Sequence, residues 1–89
     1  MKVIFTDHAI FEMNRRGLGT VQIEGIIKNP EQEIQSSHGR VILQSIVYDD
    51  FDRKKMLFRV IGIRTSDSFK VITVYKTSKI EKYWAEVLQ

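Results

Sequence analysis

Residues 55–64 read Lys55-Met56-Leu57-Phe58-Arg59-Val60-Ile61-Gly62-Ile63-Arg64. From Leu57 to Ile63 only Arg59 and Gly62 interrupt an apolar run. Alternate side chains of a strand point to opposite faces, so this run predicts a central strand that needs cover on both sides. Helices would cover one face, and curl of the sheet or a partner would enclose the other. Gly62 is placed to permit that curl, because a glycine in a strand marks a bend or a close approach.

The neighbouring runs share the pattern. Arg40–Tyr48 and Phe69–Tyr75 are rich in β-branched and aromatic residues, and Glu33–Ser37 is a fourth candidate strand. Between them stand Ser36-Ser37-His38-Gly39, Asp49-Asp50-Phe51-Asp52 and Thr65-Ser66-Asp67-Ser68, all with turn chemistry. Links this short cannot carry a crossover, so the spacing predicts an antiparallel meander.

Upstream the period changes. Residues 2–6 form a short run suited to an edge strand. Thr6-Asp7 supplies N-cap chemistry, and a helix over His8–Arg16 ends at Gly17, a natural C′ residue. Ala9, Ile10, Met13 and Gly17 share one stripe of that helix, and His8, Glu12 and Arg15 share another. A second helix starts near Thr20 as its cap and stops at Asn29-Pro30, since the residue before proline is pushed out of the α region. Gly25 weakens this helix unless it serves a close approach to the sheet. Lys79–Leu88 reads as a C-terminal helix capped by Thr77 or Ser78. The fold class is α+β: two short N-terminal helices packed on a curled antiparallel sheet of four or five strands, with a short C-terminal helix.

Composition narrows the function classes. The 89 residues suffice for one domain, 1–89, and not for two. There is no cysteine, which removes disulfides, thiolate metal sites and thiol nucleophiles. No apolar run approaches a membrane span, and the start of the chain lacks a signal-peptide core, so the expected compartment is the cytoplasm without membrane attachment. The net charge of +3 and a pI near 9.3 favour a polyanionic partner weakly.

Several pieces together resemble a known family. Phe5-Thr6-Asp7-His8-Ala9, Met13 and Arg16-Gly17-Leu18 are similar to the H-A-x-x-R-M-x-x-R-G-I opening of the bacterial domain of unknown function 4258. The similarity continues at Asn29-Pro30-Glu31, Gly39-Arg40, Phe58-Arg59-Val60, Val71-Ile72-Thr73-Val74-Tyr75 and Tyr83-Trp84. That family is grouped with RelE-like and BrnT-like toxins in the barnase- and colicin-like ribonuclease folds. The resemblance implies helices on an antiparallel sheet and a role as the ribonuclease toxin of a toxin–antitoxin pair. The partners it implies are RNA, including ribosome-associated mRNA, and a small antitoxin protein. One departure stands out: Glu12 occupies the place of the family's usual arginine, reversing a charge on the first helix.

Metal-free RNA cleavage needs a base for the 2′-OH, cations for the crowded phosphate and an acid for the leaving 5′-oxygen. No clustered His/Asp/Glu set has metal-ligand spacing, and no cofactor is implied. His8 is the candidate base, with Glu12 one turn on to orient it; the alternative is a packed imidazole bonded to a carbonyl. Arg59, isolated among apolar residues, is the candidate phosphate clamp or else a structural partner of Glu12 or Glu33. Tyr75 offers a phenol as acid or phosphate donor, or simply packs. Arg16, Arg40, Lys76 and Lys79 are candidate substrate-binding cations, Arg16 equally being the i,i+4 partner of Glu12. Tyr83 and Trp84 either stack bases or dock the last helix on the sheet, docking being the expected role. Asp49, Asp50, Asp52 and Arg53-Lys54-Lys55 read as a solvated hairpin loop. Two functions follow: a metal-independent endoribonuclease acting through His8, Arg59 and Tyr75, or a non-catalytic RNA- or protein-binding or homodimerising module of the same fold.

Overall fold

A computed structural model describes residues 1–85. Its centre is a strand over Lys54–Arg64 (β4), flanked by Val41–Asp49 (β3) and Ser68–Thr77 (β5). Gln32–Gln35 (β2) lies outside β3, and Lys2–Phe5 (β1) lies outside β5, giving the order β1-β5-β4-β3-β2. The four strands β2 to β5 form the expected antiparallel meander.

The sheet is mixed rather than wholly antiparallel, because β1 pairs parallel with β5. Short links force neighbouring strands to reverse direction; β1 and β5 are separated by most of the chain, and no such constraint applies. The parallel entry is clamped at both ends, where Lys2 N–H donates to the Asp67 carbonyl (2.9 Å) and Thr6 N–H to the Val71 carbonyl (3.1 Å).

That pairing sets the start of the first helix, Asp7–Arg16 (α1). Thr6 Oγ1 accepts from Ala9 N–H and donates to the Ile72 carbonyl, both at 3.1 Å, so one cap residue ties the helix to β5. Gly17 ends α1 in the left-handed region (φ 70°), as the spacing predicts. The second helix, Thr20–Lys28 (α2), departs from expectation at its start. Gly19, not Thr20, is the N-cap, and no side chain bonds there. Gly25 faces open space and makes no close approach to the sheet; α2 is held by the buried Ile23, Ile26 and Ile27 instead.

Both helices cover the sheet face that carries Phe58, Val60, Leu43, Phe69, Val71 and Val74, and these join Ala9, Met13 and the α2 isoleucines in one core. Leu57 is equally buried but stands outside this cluster, on the opposite face. Beyond β5, the short helix Ile80–Tyr83 (α3) follows. It is one turn, shorter than the predicted Lys79–Leu88; residues 86–88 of that range lie outside the described residues. Its N-cap is Lys79, and neither Thr77 nor Ser78 caps it with a side chain. The predicted strand Glu33–Ser37 is Gln32–Gln35 followed by a 3-10 turn over Ser37–Gly39. Among the described residues, no helix is long and apolar enough to cross a membrane.

The curl occurs where predicted. The β4–β5 register slips at Ile61/Gly62, the signature of a bulge. A Cβ built on Gly62 would collide with the Lys70 carbonyl oxygen and sit 2.6 Å from the Phe69 ring. Both neighbours are fixed, one by the sheet and one by the core. Gly62→Ala is therefore expected to cost about 1–3 kcal/mol, the usual range for overpacking, read as a lower midpoint in urea unfolding; an unchanged midpoint would show that the bulge is not closed to a methyl group.

Candidate functional site

Register aligns four polar side chains in a row across the face opposite α1 and α2. Gln32 of β2 faces Gln44 of β3, Gln44 faces Arg59 of β4, and Arg59 faces Tyr75 of β5. Arg59 is 8% exposed, and Gln44 is fully buried. The Arg59 Nε–H donates to Gln44 Oε1 (2.8 Å), and Nη1 donates to the Tyr75 hydroxyl (2.5 Å). The guanidinium carbon lies 4.5 Å from the Tyr83 ring centre and 5.6 Å from that of Tyr75. The two rings meet edge to face, 6.3 Å apart.

A buried guanidinium ordinarily finds a carboxylate. Among the described residues Arg59 has none within 4 Å; its partners are an amide oxygen, a phenol and two π faces. Neither structural partner considered for it is used, since Glu12 binds Arg15 and Arg16, and Glu33 binds Arg64 at 2.8 Å. These neutral partners fix the fork in place but leave its charge uncompensated. The Tyr75 oxygen accepts from Arg59, so the phenol proton is directed elsewhere and is available to a ligand. The pair can thus present a rigid cation and a neutral donor to one anionic group.

The other predicted residues are not gathered here. His8 stands exposed on α1, in the helix layer, while Arg59 and Tyr75 project from the far side of the sheet. No hydrogen bond joins His8 to Glu12, whose carboxylate is held by Arg15 (2.9 Å) and Arg16 (3.0 Å). The Arg15 hydrogen bond, with that of Arg16, lowers the Glu12 pKa from its ordinary range despite some desolvation. Arg16 is therefore a helix-surface partner. Arg40 and Lys79 are exposed. Arg40, just before β3, lies four residues from Gln44, roughly 13 Å at strand rise, whereas Lys79 opens the turn that covers the site.

Lys76 is a clear correction. Next to Tyr75, it points to the opposite face, where its Nζ reaches Asp49 (2.8 Å) and Asp52 (3.2 Å) against the Phe51 ring. Asp49 is likewise no part of a solvated loop, being 4% exposed. Burial pushes its carboxyl pKa up, but the hydrogen bonds from Lys76 and the Asp52 N–H outweigh that and leave it below 3.8. Burial likewise works against the Lys76 ammonium, and the two carboxylates outweigh it and hold its pKa above 10.5.

The spacing missed Gln32 and Gln44, which have no special residue pattern. Gln44 did carry the same signal as Arg59, a polar residue within an apolar run. Tyr83 and Trp84 dock as expected. Tyr83 lies against Arg59, and Trp84 borders a hollow of about 300 Å³ with Ile46, Ile80 and Glu81.

The Asp49–Lys76 pair makes stability pH-dependent. The depressed Asp49 contributes stability above pH 3.8 and loses it as pH falls through the lower folded value; Lys76 contributes below pH 10.5 and loses it only as pH rises past its raised value. Acidification below about pH 4 should lower the melting temperature of the wild type more than that of Asp49→Asn. Lys76→Met, which strands a buried carboxylate, should cost roughly 3–5 kcal/mol near neutral pH; a neutral effect in thermal unfolding would show that the pair is not structural.

No curated protein and no solved structure matches the chain. Residues 5–76 match the family described as Domain of unknown function (DUF4258). That span includes the last residue of β1, both N-terminal helices, the whole meander but its last residue, and Gln32, Gln44, Arg59 and Tyr75, so the chain belongs to the DUF4258 family.

Proposed function

We propose that the domain is an RNA-binding module of the RelE-like kind, which grips a phosphate with Arg59 on the sheet face opposite the helices. The observation that carries this reading is the Arg59 guanidinium, buried and oriented by the neutral groups Gln44 Oε1 and Tyr75 OH. A fixed fork whose charge is not cancelled matches two phosphate oxygens, and the free phenol proton can serve a third. The resemblance to RelE-like and BrnT-like toxins supports RNA as the polyanion, and so does the basic pI. The same resemblance supports a small antitoxin as protein partner.

A second reading is metal-independent endoribonuclease activity of the RelE-like toxin type. The Tyr75 hydroxyl favours it, because a phenol beside a clamped phosphate can protonate a departing 5′-oxygen. His8, on the helix side, is not available to that phosphate as the base. Binding is therefore placed ahead of cleavage.

Fluorescence anisotropy with a single-stranded oligoribonucleotide tests the first reading. Arg59→Gln should weaken binding about 10–100-fold, the worth of one charge-assisted contact of roughly 1.5–3 kcal/mol. It should also make the slope of log K against log salt shallower by about 0.7 for each phosphate that the variant fails to neutralise. Unchanged affinity and slope in a folded variant would remove Arg59 from the interface. Incubation with RNA in EDTA tests the second: cleavage by the wild type that Tyr75→Phe abolishes would establish the nuclease, and intact RNA at saturating protein would exclude it.

A further inference from the structure

The face that carries Arg59 is not empty: the chain's own C-terminal turn lies on it. Gln32 Nε2 donates to the Ala85 carbonyl (2.7 Å), and Gln32 Oε1 accepts from the Ala85 N–H (3.0 Å). Gln44 Nε2 donates to the Tyr83 carbonyl (3.1 Å), while the Tyr83 ring covers the guanidinium at 4.5 Å. Thus two side chains of the polar row hold the backbone of the turn, and a third is capped by its ring.

We propose that residues 79–85 act as a built-in occupant of the Arg59 site, which an RNA phosphate must displace in order to bind; this rests on the reading of Arg59 as a phosphate clamp. The turn has the properties of a removable cover. It is a single helical turn of four residues without a side-chain cap, and one turn alone is too short to hold itself together in water. None of its residues is fully buried or belongs to the core. A hollow of about 300 Å³ opens between Ile80 and Trp84 of the turn and Ile46 of the sheet. Its attachments to the row are neutral hydrogen bonds and a π face, each weaker than a phosphate on a guanidinium. Lys79 and Lys82, both exposed, place two further cations on the cover, so an approaching polyanion is attracted to the segment it must lift.

A covered site binds with an affinity reduced by the fraction of time it is open, so loosening the cover strengthens binding. Gln32→Ala removes both bonds to Ala85 and the Gln44 Nε2 bond to Gln32 Oε1, but leaves Gln44 bonded to Tyr83 and to Arg59. Trp84 is the only tryptophan in the chain and sits on the cover, which makes its emission a direct readout. The full-length wild type and Gln32→Ala would be titrated with a single-stranded oligoribonucleotide, following anisotropy and Trp84 emission together. The expected result is emission that shifts to the red as RNA saturates the wild type. Gln32→Ala should be red-shifted before RNA is added and bind about five- to tenfold more tightly. Equal affinities with unmoved Trp84 emission would overturn the cover while leaving the phosphate clamp standing. No binding by either protein would overturn both. If Gln32→Ala lowers the melting temperature sharply, Tyr83→Ser replaces it, with the same expected gain in affinity and the same overturning result.

Discussion

Strand β4 is buried on both faces, and that requirement organises the molecule. The alternation of its side chains sends Phe58 and Val60 toward the helices and Leu57 and Arg59 the other way. Two helices supply the first cover through Ala9, Met13 and the isoleucines of α2. The second cover is much lighter, a single turn carrying Tyr83 and Trp84. Among the described residues, the far face is covered by that one turn, and the register of β4 slips at Gly62.

This unequal cover explains where charge is tolerated. On the helix side, Lys76 is buried with two carboxylates, a closed pair that contributes to stability and offers nothing to a ligand. On the far side, Arg59 is buried with neutral partners, so its orientation is fixed while its charge remains effective. Two cations on adjacent strands therefore have opposite roles, and the difference lies in the partners that each face brings.

The row Gln32–Gln44–Arg59–Tyr75 also joins fold to site. Each member comes from a different strand, so the row exists only when all four strands are in register. The Gln32–Gln44 contact at 2.8 Å extends the hydrogen-bonded chain to the edge strand, where the C-terminal turn is held. A change at that edge can reach Arg59 through two side chains.

Much of this was legible in the residues. The central strand, the three turns, the Thr6 cap, the Gly17 terminus and the bend at Gly62 all follow from local preferences, which act over a few residues and leave their mark on spacing. Arg59 was legible as an isolated charge in an apolar run. The tertiary structure alone decided three things. It set the parallel direction of β1, which no short link constrains. It put His8 in the helix layer and Lys76 on the helix-facing side, apart from Arg59. It set the register that brings Gln44, Tyr75 and Gln32 beside Arg59. These are long-range outcomes, set by which strands pair and which face the helices cover. Local periodicity says that a residue alternates with its neighbours; only the packed sheet says which face it shares, and with whom.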